Sequence, residues 1–172
     1  MALDRGDAVA AKTLGETQAR WADKAAAQRP DDINAQLAVG EAKLNLATAH
    51  YYPGRKSLND FSGALKLVDE AVAHRAGLFE KAKKNQSAVR GYAQPLVTLT
   101  QLQLVHGQAA AALQTVNRIG PVIEALWSDP AMRTRLAPLK ISELRHRGEA
   151  QIDMGDRAAG LQSLSEAVAL AD

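Results

Sequence analysis

Apolar residues return along this chain at the spacings of one helix face, and they do so in three related stretches. Ala64-Leu65, Ala112-Leu113 and Gly160-Leu161 superpose when the sequence is shifted by 48 residues. In each stretch apolar residues follow the small one at +4 and +7: Val68 and Ala71, Val116 and Ile119, Leu164 and Ala167. Those offsets fall on one side of an α-helix, and a small residue there lets a second helix come close. Five residues before each small residue stands Asn59, Gly107 or Gly155, all turn formers. Each copy reads as a helix, a turn and a second helix.

The first helices of the copies also correspond. Val39-Gly40, Leu99-Thr100 and Arg147-Gly148 align, followed two residues later by Ala42, Leu102 and Ala150. The first copy fits only with about 12 extra residues between its helices, around Tyr51-Tyr52-Pro53-Gly54-Arg55-Lys56-Ser57. Insertions in repeat proteins fall in loops, and Pro-Gly marks a loop independently. Residues 7–28 predict a leading helix, with Ala10, Leu14, Trp21 and Ala25 spaced by 4, 7 and 4. Pro30 ends it and the following aspartates cap the next helix; Asp129-Pro130 repeats that grammar. Gly120-Pro121 predicts a kink or break in the middle copy's second helix. The expected fold is all-α, with about seven helices: the leading helix and three hairpins over 32–86, 87–127 and 129–171. Turns are expected at or near Pro30, Pro53-Gly54, Asn85, Gly107, Ser128 and Gly155.

Composition agrees with a helical chain. Apolar residues make up 47% but aromatics only 4%, so alanine and leucine carry the hydrophobicity, and both are strong helix formers. No alternating run of valine, isoleucine and threonine points to a strand. The 172 residues fit a single repeat domain. A formal charge of +2 with both signs interspersed argues against a nucleic-acid partner. With no cysteine there is no disulfide, thiolate metal site or cysteine nucleophile. No apolar run approaches the roughly 20 residues of a membrane span. The opening Met1-Ala2-Leu3-Asp4 lacks the basic and apolar regions of a signal peptide.

The last copy, Leu144 to Leu170, resembles a tetratricopeptide repeat: Leu144, Gly148, the Gly155-Asp156 turn, then Gly160, Leu164 and Ala167. The middle copy shares Leu96, Leu99, Gly107, Ala112 and Val116 with that pattern, and the first copy shares its second helix. Arg147 stands where the family prefers leucine, and Gln103 and Gln151 replace its tyrosine. The 48-residue period also exceeds the family's usual 34 or so. The excess of roughly 14 residues is close to four helical turns, which keeps the faces in phase. Pro53-Gly54 followed by Gly63-Ala64-Leu65 is similar to tetratricopeptide regions attached to bacterial eukaryotic-like serine/threonine kinases. The resemblance implies helical hairpins stacked as a right-handed α-solenoid, here part of a larger signalling protein.

In such stacks the first helix of each hairpin lines a concave groove. That places Asn34, Leu37, Glu41 and Asn45 in the groove from the first copy, Gln94, Val97 and Gln101 from the second, and Arg145 and Glu149 from the third. The lysine–asparagine clamp by which some members hold a peptide carboxylate is absent: its positions carry Leu37 with Glu41, Val97 with Gln101, and Arg145 with Glu149. Tyr51 and Tyr52 are candidate loop contacts, either packed back on the helices or offered to a partner. Arg133, Arg135, Lys140, Arg145 and Arg147 are either a solvated helix face or a face for an acidic peptide, diluted by Glu143. No phosphate-binding loop appears. His50, His74, His106 and His146 show no HExxH spacing, so no metal, cofactor or catalytic residue is assigned. The expected function is a protein- or peptide-binding scaffold, not an enzyme. Self-association as a homo-oligomer is the alternative, and a helical active site of converging carboxylates the remote one.

Overall fold

The computed structural model describes residues 7–171. The Met1–Asp4 opening and Asp172 lie outside the described residues. The chain is all-helical, with no strand among the described residues. Its helices are α1 (Ala8–Gln28), α2 (Ile33–His50), α3 (Phe61–Lys81), α4 (Gln86–Val105), α5 (Ala109–Val116), α6 (Ile119–Trp127), α7 (Pro130–Asp153) and α8 (Arg157–Ala171). The seven expected segments are present, with α5 and α6 forming the two pieces of the segment flagged by Gly120-Pro121. Proline at 121 has no N–H to give the carbonyl of Asn117, so the helix stops there. Pro121 then occupies the first turn of α6, where no intrahelical donor is required. No helix among the described residues is long and apolar enough to cross a membrane.

Every expected turn is present, and the three aligned turn residues share one backbone conformation. Asn59, Gly107 and Gly155 have φ of 56°, 69° and 90°. Glycine enters that left-handed region freely and asparagine tolerates it. Gln108 N–H then bonds the carbonyl of Gln103 at 2.8 Å, and Asp156 N–H that of Gln151 at 2.9 Å, which satisfies carbonyls left open at a helix end. One residue past each turn residue, the carbonyls of Asp60, Gln108 and Asp156 accept from Ala64, Ala112 and Gly160 at 3.1, 2.9 and 3.0 Å. The small residue therefore always sits at the end of the first turn of its helix.

The chain divides into two compact units, residues 1–81 and 82–172. In the first, α2 packs against both α1 and α3. Asp32 caps α2, its carboxylate accepting from Asn34 and Ala35 at 2.9 and 3.2 Å. The α1–α2 contact is almost all alanine: Ala22 and Ala26 meet Val39 and Ala42, with Ala19 at the edge. The buried side of α1 is thus Gly15, Ala22 and Ala26. That face is turned one residue from the Ala10, Leu14, Trp21, Ala25 stripe, and Leu14 and Trp21 remain 62% and 66% exposed. Small side chains win the interface because they let the α1 and α2 backbones approach.

In the second unit α4 packs on α5, α6 and α7, and α7 packs on α8. Asp129 caps α7 through Ala131 N–H at 2.9 Å, with Pro130 just inside the helix. The α7–α8 crossing passes through two glycines. A Cβ on Gly148 would lie 2.8 Å from the Gly160 carbonyl oxygen, and one on Gly160 would lie 2.8 Å from that of Gly148. Ala64, Ala112, Val68, Val116, Ala71 and Ile119 are all fully buried, so the repeat offsets mark the contact faces.

Enlarging the small position tests this packing. Ala112→Phe should cost roughly 1–3 kcal/mol or more, because the added ring has no space at the α5 contact. Denaturant unfolding measures it, and an unchanged midpoint would contradict the repeat register.

Candidate functional site

The α2 residues Asn34, Leu37, Glu41 and Asn45 follow a helical stripe, with Leu37 half-buried and the other three exposed. Behind this stripe stands Arg75 of α3, only 3% exposed. Its guanidinium donates to the Leu37 carbonyl at 2.9 Å and to the Glu41 carboxylate at 3.1 Å. Burial pulls Arg75 below the ordinary guanidinium value, and Glu41 acts in the opposite direction. The Arg75 stem crosses Gly40, where any Cβ would collide with it. His74 and the Gln36 carbonyl meet at 2.9 Å, and Lys43 pairs with Glu70. Glu41 is therefore partly committed inside its own unit. Asn45 donates to the Gln18 side chain of α1 at 3.2 Å.

On α4, Gln94 and Gln101 are exposed, but Val97 is buried and belongs to the packing of its unit. On α7, Arg145 pairs with Glu149 at 3.2 Å, one turn apart and both half-exposed. A second Arg145 nitrogen lies 2.8 Å from Nε2 of the buried His146. Each stripe has a polar pair open to solvent: Asn34 with Asn45, Gln94 with Gln101, Arg145 with Glu149.

The basic run on α7 is largely consumed by internal partners. Arg133 lies over the Trp127 ring and donates to its carbonyl at 3.2 Å, and Arg135 donates to Gln86 at 3.0 Å. Lys140 and Arg147 flank Glu143, which is 0% exposed. Lys140 sits 2.9 Å from that carboxylate and 3.6 Å from Glu124 of α6. A buried carboxylate needs such compensation, since desolvation costs several kcal/mol per ion. Glu143 is thus the centre of a charge cluster between α6 and α7, rather than a diluting surface acid. A signal was present in the sequence: Leu136, Glu143 and Ala150 follow one face at intervals of seven, with cations three before and four after the glutamate.

The inserted loop between α2 and α3 is held at both ends. Leu58 N–H bonds the Ala49 carbonyl at 3.0 Å and Asp60 N–H the His50 carbonyl at 2.8 Å. The His50 ring and the Asp60 carboxylate meet at 2.8 Å. Gly63 N–H first, then His50, hold Asp60 below the usual carboxylate value. Tyr51 packs edge-on against Phe61 with centroids 5.7 Å apart, and Arg55 covers the Tyr52 ring at 5.0 Å. Both tyrosines are half-buried and packed back on their own segment. Among the described residues, no three histidines or carboxylates converge in a way that would hold a metal ion.

His146 offers a pH test of the second unit. It is 2% exposed, and burial, then the Arg145 cation, push it down from 6.5 to about 4 against a weaker upward pull from the Ser142 backbone. The unfolded chain accepts this proton below 6.5 while the folded one refuses it until about 4. The stability contribution is therefore full above 6.5 and is lost as pH falls toward 4. Between pH of about 7.5 and about 4.5, the wild type should lose up to about 3 kcal/mol more than His146→Gln. Equal losses in denaturant titrations would contradict the burial of a neutral imidazole.

Comparison with protein-family models, curated proteins and solved structures finds no match.

Proposed function

We propose that this chain is a protein- or peptide-binding scaffold of the tetratricopeptide-like solenoid type, the docking part of a larger signalling protein. One observation carries the reading. The first helix of each hairpin keeps an outward pair of polar side chains, at Asn34 and Asn45, Gln94 and Gln101, and Arg145 and Glu149. Asparagine, glutamine and arginine offer hydrogen-bonding groups to a peptide backbone without a change of fold. The kinase-associated setting rests on the sequence resemblance alone.

A second observation favours self-association. The outward side of α8 carries Ala158, Leu161, Ser165 and Val168, all exposed and none charged. Such a face stacks readily on another copy. Under this reading sedimentation of the isolated chain gives a dimer that Leu161→Lys dissolves.

Arg145→Ala and Gln101→Ala separate the two readings. Gln101 is exposed, so Gln101→Ala should stay within about 1 kcal/mol of wild type. Arg145→Ala also takes a donor from the buried His146 and is read at a temperature where it is fully folded. Affinity for a partner recovered from the source cell should fall about tenfold in each variant, as measured by calorimetry. Unchanged affinity in both, with loss on Tyr51→Ala or Tyr52→Ala, would move the site to the inserted loop. Glu41 is a poor choice for this test, because its removal takes a carboxylate away from the buried Arg75.

A further inference from the structure

Leu14 and Trp21 stand seven residues apart on α1 and are 62% and 66% exposed. They lie outside the alanine face that α1 gives to α2, although they are the largest apolar side chains in their turns. Gln18, between them, accepts from Asn45 at 3.2 Å. This contact joins the Leu14–Trp21 side of α1 to the polar side of α2 within one compact unit. Trp21 follows Gln18 by about one turn of α1. The surface combines an apolar anchor with a polar border of Gln18 and Asn45.

Charge narrows the partner. Lys24 lies over the Trp21 ring at 5.6 Å, and Arg20 donates to the Thr17 hydroxyl at 3.2 Å. Neither cation has a carboxylate within ion-pair distance among the described residues. Asp23 is two residues past Trp21 and therefore on the opposite side of α1. The acid on the α2 side, Glu41, is held by Arg75. The Trp21 indole thus carries at its side a lysine that has no carboxylate partner among the described residues.

We infer that the α1–α2 face around Leu14 and Trp21 docks a peptide segment bearing both apolar side chains and carboxylates. This deepens the scaffold reading and rests on it. Tryptophan supplies a large, stiff contact surface and is enriched among residues that dominate binding energy. A carboxylate beside the bound apolar side chain reaches Lys24, and the polar border hydrogen-bonds the peptide backbone. A nucleic acid would need several phosphate contacts, more than two cations offer. A membrane would bury the amide atoms of Gln18 and Asn45 that their mutual bond leaves unpaired, a cost that a hydrogen-bonding peptide avoids.

Two labelled peptide pools of equal length test this, one built from Glu, Leu, Phe and Ser, the other with Lys replacing Glu. Fluorescence anisotropy is read on the full chain and on Trp21→Ala, Lys24→Glu and Arg157→Ala, with circular dichroism and melting as controls of folding. Arg157 is exposed on α8, outside both candidate faces. The acidic pool should bind the wild type and Arg157→Ala alike. Binding should fall at least about tenfold in Trp21→Ala and in Lys24→Glu. Since Lys24 is exposed, the second variant keeps the test decisive should the first fail to fold. Equal binding of the lysine pool, wild-type affinity in both variants, or no binding of the acidic pool overturns the inference. So does a Trp21-dependent dimer, or Trp21-dependent binding to anionic vesicles, in place of acidic peptide. A cellular partner lost on Arg145→Ala but kept on Trp21→Ala overturns this site alone and leaves the scaffold reading standing. Loss of neither, with no pool bound, overturns both.

Discussion

Helices in this chain are held by close approach at small residues, and that approach depends on the backbone turn just before it. Asn59, Gly107 and Gly155 reverse the chain in the left-handed region, and the residue after each opens the next helix. Ala64, Ala112 or Gly160 then arrives at the end of the first helical turn, facing the helix just left. At Gly148 and Gly160 neither residue has space for a Cβ beside the other's carbonyl. With so few aromatics in the chain, leucine, isoleucine and valine fill the wider contacts, and alanine and glycine serve the close ones. Dispersion falls steeply with distance, and even a small void between two helices forfeits much of the attraction across it.

Two charged groups, Arg75 and Glu143, are also buried within this packing. Arg75 occupies the space above Gly40 and spans from α3 to α2, where the Leu37 carbonyl and Glu41 meet its guanidinium. Glu143 stands below α6 with Lys140 and Arg147 on either side. Arg75 bridges α3 and α2, whereas Glu143 is paired by two cations of its own helix, one of which, Lys140, also reaches Glu124 of α6. Breaking such a group from its partner is costly, whereas the pair itself contributes little net stability. These residues consequently organise their units while leaving the outer polar pairs, such as Gln94 with Gln101, open to solvent.

Helix positions were legible in the sequence because turn residues and offsets of 4 and 7 are local properties. The face of α1 was not. Its Ala10, Leu14, Trp21, Ala25 stripe has the right spacing, yet Gly15, Ala22 and Ala26 make the contact. Hydrophobicity favours the first set and close approach the second, and only the partner helix decides between them. Val97 illustrates the same limit: its place on a first helix suggested a groove, and its burial follows from neighbours distant in sequence. Glu143 reads in the sequence as a diluting acid, although Lys140 three residues before it and Arg147 four after it supply the cations that make a buried carboxylate tolerable. The candidate surface was therefore only partly readable, its exposed amides and the Arg145–Glu149 pair better than its tryptophan.

The close crossing of α7 and α8 is the most direct point at which to test the account. In a nuclear Overhauser spectrum of the labelled chain, the α-protons of Gly148 should give strong cross-peaks to those of Gly160 and to the Leu164 side chain. This follows from the separations at which an added Cβ would meet the Gly160 carbonyl and Leu164 Cγ, both 2.8 Å. Observation of these cross-peaks, with Gly155 in the left-handed region by its couplings, is the result expected. Their absence in a folded, helical sample would contradict a fold built on small residues placed one turn after a reversed backbone.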